Sequence, residues 1–145
     1  MDRPKLQVVL DTNVWLSGLV FGGNPEQIIR LFIEGAIIVV TSEELLTELR
    51  RKVTQKFPLF APYLSALEVS IREKAIVVQL GTEPVNASRD PDDNQVIETA
   101  LIGVAKYVVS GDTDLLVLKE YESVQIVKPA TLLELLSSSS TGYNS

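Results

Sequence analysis

The chain contains neither cysteine nor histidine. Without cysteine there are no disulfides, thiolate nucleophiles or zinc–thiolate sites. Without histidine there is no Ser-His-Asp triad, no Cys-His pair and no imidazole-ligated zinc. Polar chemistry must therefore run on Asp, Glu, Lys, Arg, Tyr or hydroxyl groups. Clustered carboxylates in such a chain point to hard, oxygen-seeking cations such as Mg²⁺ or Mn²⁺. Long apolar runs are also missing: none approaches the roughly 20 residues of a membrane span. The segment Met1-Asp2-Arg3-Pro4-Lys5 has no signal-peptide core. A cytoplasmic location with no membrane partner is expected.

Positive charge is in short supply. Thirteen Lys and Arg face 19 Asp and Glu, a formal net charge of −6. That disfavours a general nucleic-acid binder, because phosphate contacts need a positive surface. The objection weakens if several acids share one pocket and a bound metal offsets them. Basic residues are also concentrated locally, at Arg50, Arg51, Lys52 and Lys56.

What is present is an ordinary globular composition, 46% hydrophobic and 22% charged over 145 residues. It suggests one domain over residues 1–136, followed by a Ser-rich tail at 137–145 expected to be disordered. Strands are expected at Val8–Leu10, Ala36–Val40, Ile76–Leu80, Tyr107–Val109 and Val124–Val127. Helices are expected over Val14–Phe21, from Asn24-Pro25 to Gly35, from Thr41 with Glu44 closing a capping box, over Tyr63–Lys74, from Asp90-Pro91 with Val104 ending its stripe, over Asp114–Leu118 and over Pro129–Leu136. Gly81–Ser88 reads as a loop. Alternating strands and helices predict an α/β fold, a three-layer α/β/α sandwich around a five-stranded, mostly parallel sheet. Ligand sites in such sheets lie at the carboxyl ends of strands, near the switch in strand order.

Several acids can reach that edge. Asp11 ends the first strand, where capping of the next helix and a functional role are equally good readings. Glu48 sits roughly 115° from the centre of the stripe Leu45, Leu46, Leu49 and Val53. It can reach a cleft or pair with Lys52 at i+4. Asp93 lies near the centre of the stripe Val96, Ile97, Ala100 and Leu101, so it faces the sheet, where an unpaired charge is costly. A capping-box role is its alternative. Asp90 reads as N-cap and Asp92 as a dipole-compatible N2 residue. Of Asp112 and Asp114, one caps a short helix and the other is free to ligate, with the Ser110 hydroxyl beside them. Converging carboxylates repel and raise each other's pKa unless a cation compensates.

These residues resemble the PIN-domain nucleases. Val9-Leu10-Asp11-Thr12-Asn13-Val14 resembles the family's opening motif, an apolar strand ending in Asp-Thr/Ser-Asn. Glu48 matches the helical glutamate and Asp93, in Asp90-Pro91-Asp92-Asp93-Asn94-Gln95, the third acid. Ser110-Gly111-Asp112-Thr113-Asp114-Leu115 resembles the closing segment, with Leu115 where many members have Phe. The resemblance covers about residues 7 to 136 and is strongest with bacterial toxins of toxin–antitoxin pairs. It implies metal-dependent cleavage of RNA. Asp11, Glu48, Asp93 and Asp112 are the implied catalytic residues, and they hold Mg²⁺ or Mn²⁺ together with Asp114. Asn13 and Ser110 orient ligands or a water. Arg50, Arg51 and Lys52 either hold the RNA backbone or form a solvated helix face. An antitoxin partner and a homodimer are further expectations.

Two other enzyme or signalling readings are weaker. A haloacid-dehalogenase-like phosphatase needs a second Asp two residues after Asp11, where this chain has Asn13. A receiver domain is suggested only by Val127-Lys128-Pro129, and Asp11 has no adjacent acid. An inactive PIN-like binding module is the non-enzyme alternative. Phe57-Pro58-Leu59-Phe60 reads either as core packing or as a partner surface.

Overall fold

A computed structural model describes residues 4–81 and 85–144. The N-terminal residues 1–3, positions 82–84 of the expected loop, and Ser145 of the expected tail lie outside the described residues. Strand β1 is Gln7–Leu10, and Val8, Val9 and Leu10 are fully buried. A strand turns successive side chains to opposite faces. Val8 and Leu10 therefore enter one core with Trp15, Phe32, Leu46 and Leu49. Val9 enters a second core with Val96, Ile97, Ala100 and Leu115. Val39 and Val40 of β2 (Ile38–Ser42) divide in the same way, as do Val109 and Val108 of β4 (Tyr107–Val109). Strands that are apolar on both faces need helices on both faces.

The first core is covered by α1 (Thr12–Val20), α2 (Gly23–Ile33), α3 (Glu43–Lys56), α4 (Ala61–Lys74) and α7 (Pro129–Asn144). The second is covered by α5 (Pro91–Ile102) and α6 (Thr113–Leu116). With β3 (Ile76–Val78), β5 (Glu120–Tyr121) and β6 (Val124–Val127), the sheet order is β3-β2-β1-β4-β6-β5. All neighbours are parallel except the antiparallel pair β5–β6. The chain moves outward from β1 to β3 and then returns to β4 on the other side of β1. The strand order switches between β1 and β4, and their carboxyl ends open the crevice expected to hold a ligand.

The expected α/β sandwich is therefore present, with six strands in place of five. The added strand β5 pairs only with β6, through Glu120↔Gln125 and Tyr121↔Val124. Lys119 and Glu122 flank it with φ of 60° and 54°. Two residues between such bends leave no hydrophobic alternation to read.

Strand β2 starts and ends two residues later than expected, because Thr41 and Ser42 still pair with Val77 and Val78. Thr41 consequently cannot cap α3. Ser42 does so, its Oγ accepting from the Leu45 N–H at 3.3 Å, and the expected Thr41–Glu44 capping box does not form. Helix α2 begins at Gly23, ahead of Asn24-Pro25. Pro25 is tolerated there because the N–H groups of a first turn have no helical acceptor. Helix α5 stops at Ile102, and Val104 is 79% exposed at φ 56° rather than part of the buried stripe. Helix α7 continues past Leu136 to Asn144, so the serines after Leu136 extend a helix anchored in the core by the buried Leu132.

Gly103 closes α5 against the sheet, donating its N–H to Thr99 O at 3.0 Å. A Cβ at this position would collide with Val40 Cγ1 and come within 3.2 Å of Val40 Cβ. A valine at the centre of a buried strand has no rotamer that clears both contacts. Gly103→Ala should cost about 1–3 kcal/mol, the usual penalty of overpacking. Urea unfolding should show a lower midpoint with an unchanged slope; a wild-type midpoint would mean that α5 and β2 part without strain.

Candidate metal centre

The Asp11 N–H donates to Val109 O at 3.0 Å and carries the β1–β4 ladder one residue past the end of β1. The Asp11 carbonyl accepts from the Val14 N–H at 2.9 Å and so opens α1. Its carboxylate makes no cap bond to that helix. Instead Oδ2 accepts from Ser110 Oγ at 2.8 Å, and Ser110 Oγ accepts from the Asp112 N–H at 2.9 Å. One hydroxyl thus ties the ends of β1 and β4 together. Asp11 is only 5% exposed. Burial pushes its carboxyl up, against the Ser110 hydrogen bond and the charge of Lys52.

On the other side, Asp90 caps α5 by accepting from the Asp92 N–H at 2.9 Å. Asp112 caps α6 by accepting from the Asp114 N–H at 2.9 Å. Each cap uses one carboxylate oxygen. Asp93, one turn beyond Asp90 and 4% exposed, accepts from Ser88 Oγ at 3.2 Å. The Ser88 segment is held by Asn94, whose Oδ1 accepts from the Ala87 and Ser88 N–H groups at 2.9 and 2.7 Å. One oxygen from each of Asp90, Asp93 and Asp112 lies within 4.8 Å of the others. Burial, followed by the charge of Asp112, pushes the Asp93 carboxyl up to about 7. Three all-oxygen donors at this spacing, in a chain without nitrogen or sulfur ligands, fit a hard divalent cation.

These acids share a cleft of about 90 Å³ with Asp11, Asn13, Glu48 and Lys52. Arg51 grips Glu48 through two hydrogen bonds, one of them Nε to Oε2 at 3.1 Å, and holds its carboxyl below the usual range. Lys52 Nζ donates to Thr12 Oγ1 at 2.8 Å and Asn13 Oδ1 at 3.2 Å, and lies 3.8 Å from Glu48 Oε1.

Asp93 and Asp112, two of the four expected acids, meet at ligating distance. Asp11 and Glu48 line the same cleft, with Asp11 turned to Ser110 and Glu48 to Arg51. Asp114 is exposed and does not line the cleft; its backbone serves the Asp112 cap. Among the basic residues, Arg50 binds Glu68 at 2.8 Å and Lys52 is drawn into the acid cleft. The run Arg50-Arg51-Lys52 is therefore not one solvated face: side chains 100° apart on a helix meet different neighbours. By sequence Asp90 reads only as a cap. Its spacing of three from Asp93 was the signal that one oxygen could join the cluster.

An α/β/α sandwich with carboxylates gathered at the switch between its central strands defines a class of proteins with an acidic cleft at a sheet edge. A profile of the PIN domain family matches residues 7–114, and the chain belongs to that family. It is 31% identical over 127 residues to the uncharacterized protein MJ1680 of Methanocaldococcus jannaschii, covering 83% of this chain and 79% of that one. Its fold is similar to Mycobacterium tuberculosis VapC20, described as a sarcin–ricin loop cleaving toxin, with a TM-score of 0.59 and 14% identity over 81% of this chain and 98% of that one. It is also similar to a chain of Rickettsia felis VapBC2, solved bound to a DNA fragment from the promoter, with a TM-score of 0.57 and 9% identity over 85% and 98%.

The raised Asp93 pKa fixes the sign of a pH effect. The folded state holds this proton more tightly than the unfolded state. Its stabilisation is complete below the ordinary carboxylate range and is lost as pH rises through about 7. In chelator, thermal unfolding of the wild type should fall between pH 5 and 8 relative to Asp93→Asn, and Mn²⁺ should reverse the fall. Parallel pH profiles for the two proteins would contradict the raised Asp93 pKa.

Proposed function

We propose that this chain is a metal-dependent endoribonuclease acting as the toxin of a toxin–antitoxin pair in the cytoplasm, with Mg²⁺ or Mn²⁺ as its cofactor. The observation that carries this reading is the meeting of Asp90, Asp93 and Asp112 oxygens within 4.8 Å at the switch between β1 and β4. RNA as substrate is supported by membership of the PIN family and by the description of VapC20. An antitoxin partner is supported by the likeness to VapBC2, and a homodimer is proposed with it. The phosphatase and receiver alternatives lose their support to the family match. Among the described residues no helix is long and apolar enough to cross a membrane.

Asp90, Asp93 and Asp112 are the residues that would hold the cation, with Asp11 and Glu48 facing it across the cleft. A divalent ion supplies a water of lowered pKa and offsets charge on the scissile phosphate. The helix caps hold Asp90 and Asp112 in place, each leaving one oxygen available. A bound cation would favour the ionised form of Asp93, because its positive charge would oppose the burial and the neighbouring Asp112 charge that raise its pKa. Ser110 keeps the Asp11 carboxylate oriented toward the end of β4. Lys52 brings an ammonium to the mouth of the cleft, where it can meet a phosphate.

Incubation of a structured RNA with the purified chain should give cleavage in Mn²⁺ and none in EDTA. Asp93→Asn and Asp11→Asn should each cut the rate by about 10²-fold or more while the protein stays folded. Wild-type rates in both variants, with metal present, would refute the assignment and favour a non-catalytic binding module.

A further inference from the structure

Aromatic residues also gather where the first core reaches the surface. Trp15 and Phe32 pack edge-to-face inside, with centroids 5.7 Å apart. The other three of the chain's four phenylalanines, Phe21, Phe57 and Phe60, form a chain of contacts with Tyr63 at the edge of that core, where Phe57 and Phe60 are half-buried and pack against it. Centroids are 5.6 Å apart for Phe21–Phe57, 6.4 Å for Phe57–Phe60 and 5.9 Å for Phe60–Tyr63. Phe21 is 72% exposed, Tyr63 is 65% exposed, and Leu59 beside them is 86% exposed. Phe21 ends α1, Phe57 ends α3, and Phe60 and Tyr63 enter α4.

This array is connected to the acid cleft. Helix α1 starts at the cleft with Thr12, α3 passes along it at Leu45, Glu48 and Lys52, and both end at the aromatic residues. Glu48, Lys52 and Lys56 follow one another at i, i+4 and i+8 on one edge of α3. From Glu48 to Lys56 the edge spans about 12 Å, at a rise of roughly 1.5 Å per residue. Among the described residues Lys56 has no ion-pair partner, whereas Glu68, the buried-side acid of α4, is held by Arg50 and Arg72. In a chain of net charge −6, the path from the cleft to the aromatic residues is a local line of ammonium groups.

We propose that Phe21 and Tyr63, backed by the half-buried Phe57 and Phe60, offer stacking faces to unpaired RNA bases, with Lys52 and Lys56 tracking the phosphates between these rings and the cleft. The inference rests on the ribonuclease reading and adds to it the residues that would hold the bases. Aromatic faces stack on any base, and cations beside them favour a polyanion over an acidic or neutral peptide. Bases paired inside a duplex have no free face to offer.

The test uses the full chain, a short unstructured RNA and its perfect duplex. Binding is followed by fluorescence anisotropy in EDTA, and cleavage of the same strand is followed separately in Mn²⁺. Wild type should bind the single strand more tightly than the duplex. Phe21→Ala and Tyr63→Ala should each weaken single-strand binding about 5- to 100-fold, and Tyr63→Phe should restore it. Lys56→Gln should reduce the salt slope by about one. All three mutated sites are exposed, and unchanged unfolding midpoints would confirm that the variants fold. Metal-dependent cleavage with wild-type binding in Phe21→Ala and Tyr63→Ala would overturn the platform and leave the ribonuclease reading standing. Unchanged RNA binding with a change in sedimentation would overturn it too, assigning the patch to a second copy of the chain. Neither binding nor cleavage by wild type would overturn both inferences.

Discussion

Strand β1 has no face to turn to water. Val8, Val9 and Leu10 are buried from both sides, so the strand must lie in the middle of the sheet with helices above and below. The next residue is Asp11, and the sheet delivers its carboxylate to the edge where the Ser110 hydroxyl binds it. Everything at the site follows from that placement. β4 must pair with β1 to bring Ser110 and Asp112 alongside, and the helices on the two faces supply the remaining acids, Glu48 from one and Asp90 and Asp93 from the other.

Gathering six carboxylates, those of Asp11, Glu48, Asp90, Asp92, Asp93 and Asp112, in a cleft of about 90 Å³ creates a repulsion that the fold offsets piece by piece. Ser110 and Lys52 act on Asp11, Arg51 acts on Glu48, and Ser88 acts on Asp93. Asp90 and Asp112 accept helix N–H bonds, which also orient them. A capping role therefore leaves room for a ligating one. A cap fixes one oxygen of a carboxylate and so directs the other. The repulsion that remains is concentrated at Asp93, the acid a cation would relieve most.

Much of the site was legible in single residues. Asp93 stood on the apolar side of α5 by helical period alone, and Asp11 stood at the end of an unbroken apolar run. The start of α3 was less legible, since Thr41 and Ser42 are both good caps and only pairing with Val77 and Val78 chooses between them. Lys52 was harder still. Its neighbours Arg50 and Arg51 made it look like part of a basic surface, and the contacts that draw it inward come from Thr12 and Asn13, 40 and 39 residues away in sequence. Strand β5 carried almost no signal, because two residues cannot display a period.

By itself, the sequence determined the layer order, the strands that lie buried, the all-oxygen chemistry and the family. These are properties of composition and short-range periodicity, which the chain carries before it folds. Only the tertiary structure decided which carboxylates meet. It joined Asp90 to Asp93 and Asp112, left Asp114 at the surface, turned Asp11 from a helix cap to a partner of Ser110, and placed an aromatic array one helix length from the cleft. Those choices depend on distances between segments far apart in sequence, and no local pattern encodes such a distance.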